Sequence, residues 1–324
     1  MKNSFTIYSP ARLHIGFLDL DNLSSRQFGS IGLTISNFFF KIKIEKSERT
    51  EINCKNCITR SKIKEVIKLI KKEKKIGNFT INVFQEIPIH NGLGSGTQLA
   101  LSIGYLISKL FKLNSSVEEL AYILKRGLRS GIGIQSFKKG GFNIDVGKLK
   151  NSKRMPLSLM NLKWPKDWKI LLVLDSNIVG VHGEKEVQEF NQLKVDKPLT
   201  SDLNCKSLLM NIIPGIIENN FEEFAKGLRN IQDNMSKIFY GNKKKFASIN
   251  LEKLFTKIEN KEVLSFGQSS WGPTGFIFLK NSKKRNELLK YLERYISVNS
   301  IHGLRILKVE GRNFGKKIIT KGEE

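Results

Sequence analysis

Apolar and polar positions along the first half of the chain predict strands mixed with helices. In FFFKIKI (residues 38–44) every second position is apolar, and FTINV (79–83) repeats this period of two, so both segments are predicted to be half-buried strands. In KIKEVIKLIKKEK (62–74) the apolar residues recur every three or four positions. This period predicts a helix with one buried stripe and solvated lysines on the other face.

Two more helices are predicted further along. TQLALSIGYLISKLF (97–111) is apolar nearly all round, which indicates a helix buried within the core. Ser116 and Glu119 form a capping box that opens the next helix. We expect Gly131 to end that helix, after a group of cations that suits the helix dipole: Lys125, Arg126 and Arg129.

The second half begins after a stretch without periodicity at 151–168. KILLVLD (169–175) is a continuous apolar run typical of a buried strand, and helical patterns follow near 208–219 and 221–237. The chain then reads strand, helix, strand in GFIFL, KKRNELLKYLERYI and LRILKV. The sequence therefore predicts an α+β protein with two domains, residues 1–160 and 161–324.

Composition narrows the class of protein. The chain has 324 residues, is 40% hydrophobic and carries a formal charge of +25, compatible with nucleic acid, an anionic membrane or anionic small substrates. Because Lys, Ile and Asn are all abundant and no nucleic-acid-binding signature occurs, we interpret the lysines as a generic surface. Cys54 and Cys57 form a lone CxxC, interpreted as reduced thiols. With no signal-peptide core and no apolar run of about 20 residues, we expect a cytoplasmic protein.

The strongest candidate for chemistry is PIHNGLGSGT, residues 88–97. Its glycines let backbone N–H groups approach an anion, and the helix that follows adds further donors and a positive dipole end. The spacing fits neither a Walker A loop nor a Rossmann fingerprint, and an ordinary connection is the alternative. The candidate phosphate or diphosphate ligands are Asn91, Gly92, Leu93, Gly94, Ser95, Gly96 and Thr97, with the Ser95 hydroxyl as a candidate magnesium ligand.

Three further segments offer polar groups. Arg12 and His14, two apart in PARLHIGFLDL, share one face of a predicted strand and are candidate catalytic residues, with a surface arginine and a core histidine as the alternative. Arg26 of RQFGSIG and His182 of VHGEKE complete the candidate catalytic set. The turn QSSWGPT and the segment around residue 130 supply candidate substrate-binding residues: Arg126, Arg129, Ser130, Gly131, Gln268, Ser269, Ser270 and Trp271.

Three of these segments, in this order, resemble the GHMP kinase superfamily, named for galactokinase, homoserine kinase, mevalonate kinase and phosphomevalonate kinase. PARLHIGFLDL resembles its first motif, PIHNGLGSGT its phosphate loop, and QSSWGPTG stands at its third motif. The resemblance implies an N-terminal domain like ribosomal protein S5 domain 2 and a C-terminal ferredoxin-like domain.

One departure from that pattern concerns Gly133. Kinases of the superfamily often carry S-G-x-D, with a Gly-Gly pair seven residues after the Asp. Here Ser130 and Gly131 are followed by Gly133, and Gly140 begins the pair. A phosphoryl-transfer enzyme of this type uses the carboxylate to orient or deprotonate the acceptor hydroxyl, so its absence argues against kinase activity.

PARLHIGFLDL, RQFGSIG, RSGIGIQSFKKGGF and QSSWGPT together resemble the β-ribofuranosylaminobenzene 5'-phosphate synthase family from end to end. The resemblance implies a Mg²⁺-assisted pentosyltransferase of tetrahydromethanopterin biosynthesis. It would transfer the phosphoribosyl group of phosphoribosyl pyrophosphate to the ring carbon of 4-aminobenzoate or 4-hydroxybenzoate and release CO₂ and pyrophosphate. A homodimer is also expected from the family. The sequence does not choose between the two benzoates.

Two other functions stay open at this point. A divergent kinase could take its base from elsewhere, for instance from Asp145, and would consume ATP. A non-catalytic anion- or nucleic-acid-binding protein, attracted by the positive charge, would bind with a steep salt dependence and no turnover.

Overall fold

The computed structural model describes residues 4–21, 23–152, 154–180, 188–189, 199–241, 244–259 and 265–320. Within these ranges the chain forms two sheets and the helices packed on them. No helix in them is long and apolar enough to cross a membrane.

The first sheet is built on two long antiparallel strands, β1 (Ser4–Asp19) and β2 (Arg26–Lys46). The remaining strands of this sheet are β3 (Glu51–Asn53), β4 (Phe79–Gln85), β5 (Phe142–Asp145), β6 (Lys148–Leu149), β7 (Ser158–Leu162) and β12 (Lys317–Thr320). The main path of the sheet runs β12-β1-β2-β4-β3; β5 pairs with β2 and β7, and β6 pairs with β2. Because β12 pairs with β1, residues 317–320 return to the sheet formed by the N-terminal half of the chain.

Four helices follow the early strands: α1 (Cys57–Glu73), α2 (Ser95–Leu110), α3 (Val117–Ile123) and α4 (Ile132–Lys138). The buried residues of α1 include Ile63, Val66, Ile67 and Ile70, as the apolar period predicts. Helix α2 is buried along most of its length and contacts both β1 and β2, which confirms the predicted core helix.

The second sheet is antiparallel, in the order β11 (Leu304–Glu310), β8 (Lys169–Asp175), β10 (Gly275–Leu279) and β9 (Ser265–Gln268). Alternate residues of β8 and β10 enter two different hydrophobic cores, so both faces of these strands are buried. This explains why KILLVLD and GFIFL are apolar without alternation. The associated helices are α5 (Leu199–Ser207), a π-helical turn (Leu208–Ile212), α6 (Ile213–Ile217), α7 (Phe221–Tyr240), α8 (Ile249–Ile258) and α9 (Ser282–Val298).

The mixed α+β class is confirmed, but one predicted helix end is wrong. The helix capped by Ser116 ends at Ile123, eight residues before Gly131. Gly131 instead precedes α4, which the sequence pattern did not predict. The division into residues 1–160 and 161–324 stays a prediction.

Candidate active site

The glycine loop connects β4 to α2. Gly92 and Gly94 have φ of 75° and 79°, a conformation that L side chains rarely adopt. Leu93 between them is fully buried and anchors the loop. Gly94 caps α2 without a side-chain hydrogen bond, and in the described part of the chain the N–H groups of Ser95 and Gly96 donate to no protein acceptor. The loop therefore presents backbone donors at a helix N-terminus, as an anion requires.

Arg12 lies directly across this loop. Its backbone N–H donates to Leu93 O at 3.1 Å, and its Nη1 donates to Gly92 O at 2.6 Å. A Cβ added at Gly94 would stand 3.1–3.2 Å from the Arg12 side chain. Gly94 therefore allows a guanidinium to approach the backbone closely, and a positive charge lies beside the open N–H groups.

His14 follows on the same strand and is 4% exposed. Its backbone N–H donates to Ser269 Oγ at 3.0 Å, and its carbonyl accepts from Ser270 N at 3.0 Å. Burial, together with the charges of Arg12 and Arg129, lowers the pKa of His14 to about 3. His14 is thus a neutral imidazole at physiological pH, and its buried Nε2 has no hydrogen-bond partner among the described residues.

The turn QSSWGPT packs against the glycine loop and holds it. Ser269 Oγ donates to Gly92 O at 2.7 Å, and Thr274 Oγ1 donates to Asn91 O at 2.5 Å. A Cβ on Gly92 would come within 2.3 Å of Ser269 O, so the two backbones meet where only glycine fits. The first and third motifs therefore converge on the loop, since Arg12 and Ser269 both donate to Gly92 O.

The other predicted members of this turn are engaged within the protein. Gln268 donates through Nε2 to the Tyr240 hydroxyl at 2.8 Å and to Ser270 O at 2.8 Å. Trp271 is 5% exposed and packs on Phe239, with ring centroids 4.2 Å apart. The predicted contacts of these residues with a substrate stay predictions.

Asp145 holds the turn that precedes α4. Its Oδ2 accepts from Ser30 Oγ at 2.5 Å and from Gly131 N at 3.0 Å, and its Oδ1 accepts from Gly147 N at 2.9 Å. Ser30 Oγ also lies 2.6 Å from Ser130 Oγ. Burial raises the pKa of Asp145 to about 6, although these hydrogen bonds oppose the shift. The carboxylate is fully buried and occupied, which makes it a poor base for an external hydroxyl.

Gly133 meets the side chain of Thr97 in the first turn of α2. A Cβ at position 133 would lie 3.0 Å from Thr97 Cγ2 and 3.3 Å from Thr97 Cβ. Gln98 Nε2 donates to Gly133 O at 2.8 Å and fixes the two helices together. The place where a kinase-like carboxylate would begin is therefore filled by a threonine.

The remaining predicted cations take different positions. Arg26 donates to Val146 O and Gly147 O, both at 2.9 Å, so it supports the turn after β5. The positive charge of Arg129 contributes to the lowered pKa of His14. Arg126 approaches the glycine loop, since a Cβ on Gly96 would lie 3.7 Å from its Nη1. His182 lies outside the described residues, and so do Glu184 and Glu186 of the same segment.

The comparisons with known proteins agree with this geometry. Residues 61–144 match the family model for the GHMP kinases N terminal domain. A β-ribofuranosylphenol 5'-phosphate synthase of Methanocaldococcus jannaschii is 30% identical, with 84% of this chain and 88% of that protein covered. The enzyme of the same name from Archaeoglobus fulgidus is 32% identical, with coverages of 69% and 74%.

The chain belongs to the β-ribofuranosylphenol 5'-phosphate synthase family. Its fold is also that of mevalonate diphosphate decarboxylase from Staphylococcus aureus, with a TM-score of 0.70, 13% identity and 98% of both chains covered. The expected GHMP fold and the family resemblance are thereby confirmed. The relatives are named for a phenol product, whereas the sequence left an aminobenzene and a phenol open.

For this synthase family member, sequence reasoning missed Ser30 and the packing of Thr97 on Gly133. Ser30 lies opposite Asp145 across the β2–β5 ladder, a pairing that only the register of the two strands discloses. Of the two cysteines of the CxxC, Cys54 is buried and Cys57 is exposed, and both are free thiols.

Proposed function

We propose that this protein is a decarboxylating phosphoribosyltransferase that makes a β-ribofuranosylphenol 5'-phosphate. Its substrates are phosphoribosyl pyrophosphate and 4-hydroxybenzoate, and its other products are CO₂ and pyrophosphate. The observation that carries the proposal is the match to synthases of that name over most of both chains. The reaction would belong to tetrahydromethanopterin biosynthesis.

The chemistry suits the glycine loop. As the C1–O bond of the ribose breaks, the electron pair leaves with the diphosphate and positive charge develops at C1. The N–H groups of Ser95 and Gly96 and the guanidinium of Arg12 would stabilise the departing diphosphate. Because these donors are fixed before the reaction, they need not reorganise during it.

The acceptor is a carbon atom, which explains why no base is needed. The ring carbon that bears the carboxylate attacks C1 from the face opposite the diphosphate, and the para hydroxyl donates electron density to that carbon. The C–C bond to the carboxylate then breaks, its electrons restore the aromatic ring, and CO₂ leaves. No hydroxyl proton has to be removed, so the packing of Gly133 against Thr97 costs this reaction nothing. A neutral His14 would serve as a hydrogen-bonding contact for the substrate rather than as an acid.

Magnesium is part of the proposal through the substrate. No cluster of three or more His, Cys, Asp or Glu side chains in the described part of the chain could hold a metal ion. Mg²⁺ is commonly bound by substrate phosphates, waters and one or two protein oxygens, so the donor set fits an ion carried on the diphosphate, with the Ser95 hydroxyl as its protein ligand. When bound, the ion would neutralise charge on the leaving diphosphate. A cytoplasmic homodimer completes the proposal.

The test is release of labelled CO₂. Purified protein with Mg²⁺ and phosphoribosyl pyrophosphate should liberate CO₂ from carboxyl-labelled 4-hydroxybenzoate, and a parallel reaction with 4-aminobenzoate identifies the preferred ring. The kinase alternative predicts ATP consumption without the sugar donor. No CO₂ from either benzoate, with an intact fold by circular dichroism, would refute the proposal.

A further inference from the structure

A small cavity lies between β1, α7 and the turn that follows β9, and we call it the His14 cavity. Its volume is about 20 Å³, which leaves room for one group the size of a water molecule. His14 and Phe17 line the cavity from β1, Met235 and Ser236 line it from α7, and Ser270 lines it from the turn. These residues are far apart in the sequence, so only the fold brings them together.

The long polar side chains around the His14 cavity are engaged within the protein. Gln268 Nε2 donates to the Tyr240 hydroxyl and to Ser270 O, both at 2.8 Å. Lys245 is the only cationic side chain that lines the cavity in the described part of the chain, and its Nζ lies 2.8 Å from Glu259 Oε1 in an ion pair. The described lining therefore offers no unpaired charge to a ligand.

His14 differs from the other lining residues. It is 4% exposed, and it alone among the described lining residues has a buried side-chain nitrogen or oxygen without a hydrogen-bond partner, namely Nε2. The neighbouring ring of Phe17, whose centroid lies 4.5 Å from that of the imidazole, cannot supply such a partner. Because an unpaired buried polar atom is unfavourable, a ligand atom that bonds to Nε2 inside the cavity gains affinity.

The chemistry of the His14 cavity favours a small neutral polar group over an anion. A carboxylate there would be buried without a counter-charge, since Lys245 is already paired and His14 is neutral. A hydroxyl both donates and accepts, so it can bond to Nε2 in either tautomer of the imidazole. Lys245 is exposed and the rings of Phe239 and Tyr240 are half-buried, so the cavity reaches the surface beside aromatic groups on which a ligand ring can pack.

We propose that the His14 cavity receives the para hydroxyl of the benzoate acceptor, with His14 Nε2 as its hydrogen-bond partner. The proposal rests on the proposed function, which makes 4-hydroxybenzoate the acceptor. Ser269 connects the cavity to the glycine loop, because its Oγ accepts from His14 N at 3.0 Å and donates to Gly92 O at 2.7 Å. The acceptor therefore binds next to the diphosphate. Its carboxylate-bearing carbon lies para to the bound hydroxyl and stays outside the cavity, where it can attack C1.

The test compares His14→Phe with the control His302→Phe. The first variant keeps an aromatic ring and removes Nε2, whereas His302 is exposed between α9 and β11. Calorimetry without the sugar donor measures binding of 4-hydroxybenzoate and of benzoate, which lacks the para group. The unmodified protein and His302→Phe should bind 4-hydroxybenzoate about 10-fold more tightly than benzoate, and His14→Phe should bind the two within about twofold of each other.

A second variant, Ser236→Leu, tests the cavity without changing His14. The larger side chain would fill the cavity from α7 and should abolish the same preference for the hydroxyl. In steady-state assays of CO₂ release, His14→Phe should raise the KM for 4-hydroxybenzoate by about 10-fold with little change in kcat, because a binding contact is lost. A purely structural role of His14 would instead weaken both probes equally and lower the melting temperature.

An undiminished preference for 4-hydroxybenzoate in both His14→Phe and Ser236→Leu would overturn the proposal, and the cavity would then hold solvent only. Equal binding of the two probes by the unmodified protein would overturn it as well. Either result together with normal CO₂ release would defeat this inference alone. A preference for the hydroxyl that depends on His14, without CO₂ release, would defeat only the proposed function.

Discussion

Two helices of the site begin at glycines and lie side by side, yet their N-termini are completed differently. Helix α2 begins after Gly94 and α4 after Gly131, and neither glycine supplies a side-chain cap. At α4 the N–H of Gly131 donates to Asp145, and that of Ile132 donates to Ser130 Oγ at 3.3 Å. At α2 the N–H groups of Ser95 and Gly96 have no acceptor in the described ranges.

This difference in hydrogen bonding distinguishes a helix N-terminus with a structural role from one that can bind a ligand. Buried backbone donors are nearly always paired in native proteins, so a helix start that the protein completes with its own carboxylate is structural. A helix start left open, with Arg12 alongside, is suited to an external anion. Gln98 connects the two by donating to Gly133 O, so the structural turn holds the functional one in place.

The largest expected effect comes from blocking the open N-terminus. Gly94→Val would force a β-branched residue into φ of 79° and push its side chain against Arg12. We expect CO₂ release to fall by about 100-fold or more, since the N–H donors would no longer meet the diphosphate. Radiometric assay under saturating substrate measures the loss.

Gly241→Val is the matched control for backbone strain. Gly241 has φ of 60° at the end of α7, and a Cβ there meets nothing within 4 Å. Both variants should lose stability of about 1–3 kcal/mol from strain, but only Gly94→Val should lose turnover. Equal activity of the two variants would contradict the proposal that the glycine loop binds the diphosphate.

A smaller effect is expected where the two helices touch. Gly133→Asp would press a carboxylate onto Thr97 in a buried position, and we expect the free energy of unfolding to fall by about 2 kcal/mol. Gly131→Ala, whose new methyl group has only contacts of 3.5 Å or longer, should be nearly neutral. Urea denaturation measures both. Gly133→Asp should also gain no ATP-dependent phosphorylation, and an ATP-dependent activity would show that Thr97 leaves room for a kinase-like site.

The sequence predicts those parts of the fold and site that depend on short-range patterns of residues. The three glycines of the loop, the apolar helix behind them and the alternation of the strands each follow from short-range patterns. The meeting of Arg12 and the QSSWGPT turn at Gly92 O is not among the predictions, because it depends on packing between distant segments. Helix α2 begins two residues before the predicted segment, because the loop glycine caps it directly.

What could not be predicted depends on packing between distant segments. Helix α4 has seven residues, too few for an apolar period to appear, and it contains a glycine that disfavours a helix. The sequence predicts that Lys62 is a solvated surface lysine, whereas its side chain is half-buried. The period of α1 shows which face is buried but not which cation lies beside that face. The pairing of Asp145 with Ser30 depends on strand register, which composition does not fix.

The smallest expected effect is a pair of opposite pH responses at the two helix starts. Asp145, at the structural start, has a pKa raised from 3.8 to about 6, so its contribution to stability is fully present below about pH 4 and is lost as the pH rises through 6. His14, near the open start, has a pKa lowered from 6.5 to about 3, so its contribution is present above 6.5 and is lost as the pH falls towards 3. When the pH is lowered from 7 to 5, the wild-type protein should therefore gain stability relative to Asp145→Asn and lose stability relative to His14→Gln. Each change in the free energy of unfolding should be at most about 1.4 kcal/mol per pH unit. Urea denaturation of the three proteins at both pH values measures the two differences, and shifts of the same sign would contradict the opposite burial effects assigned to the two groups.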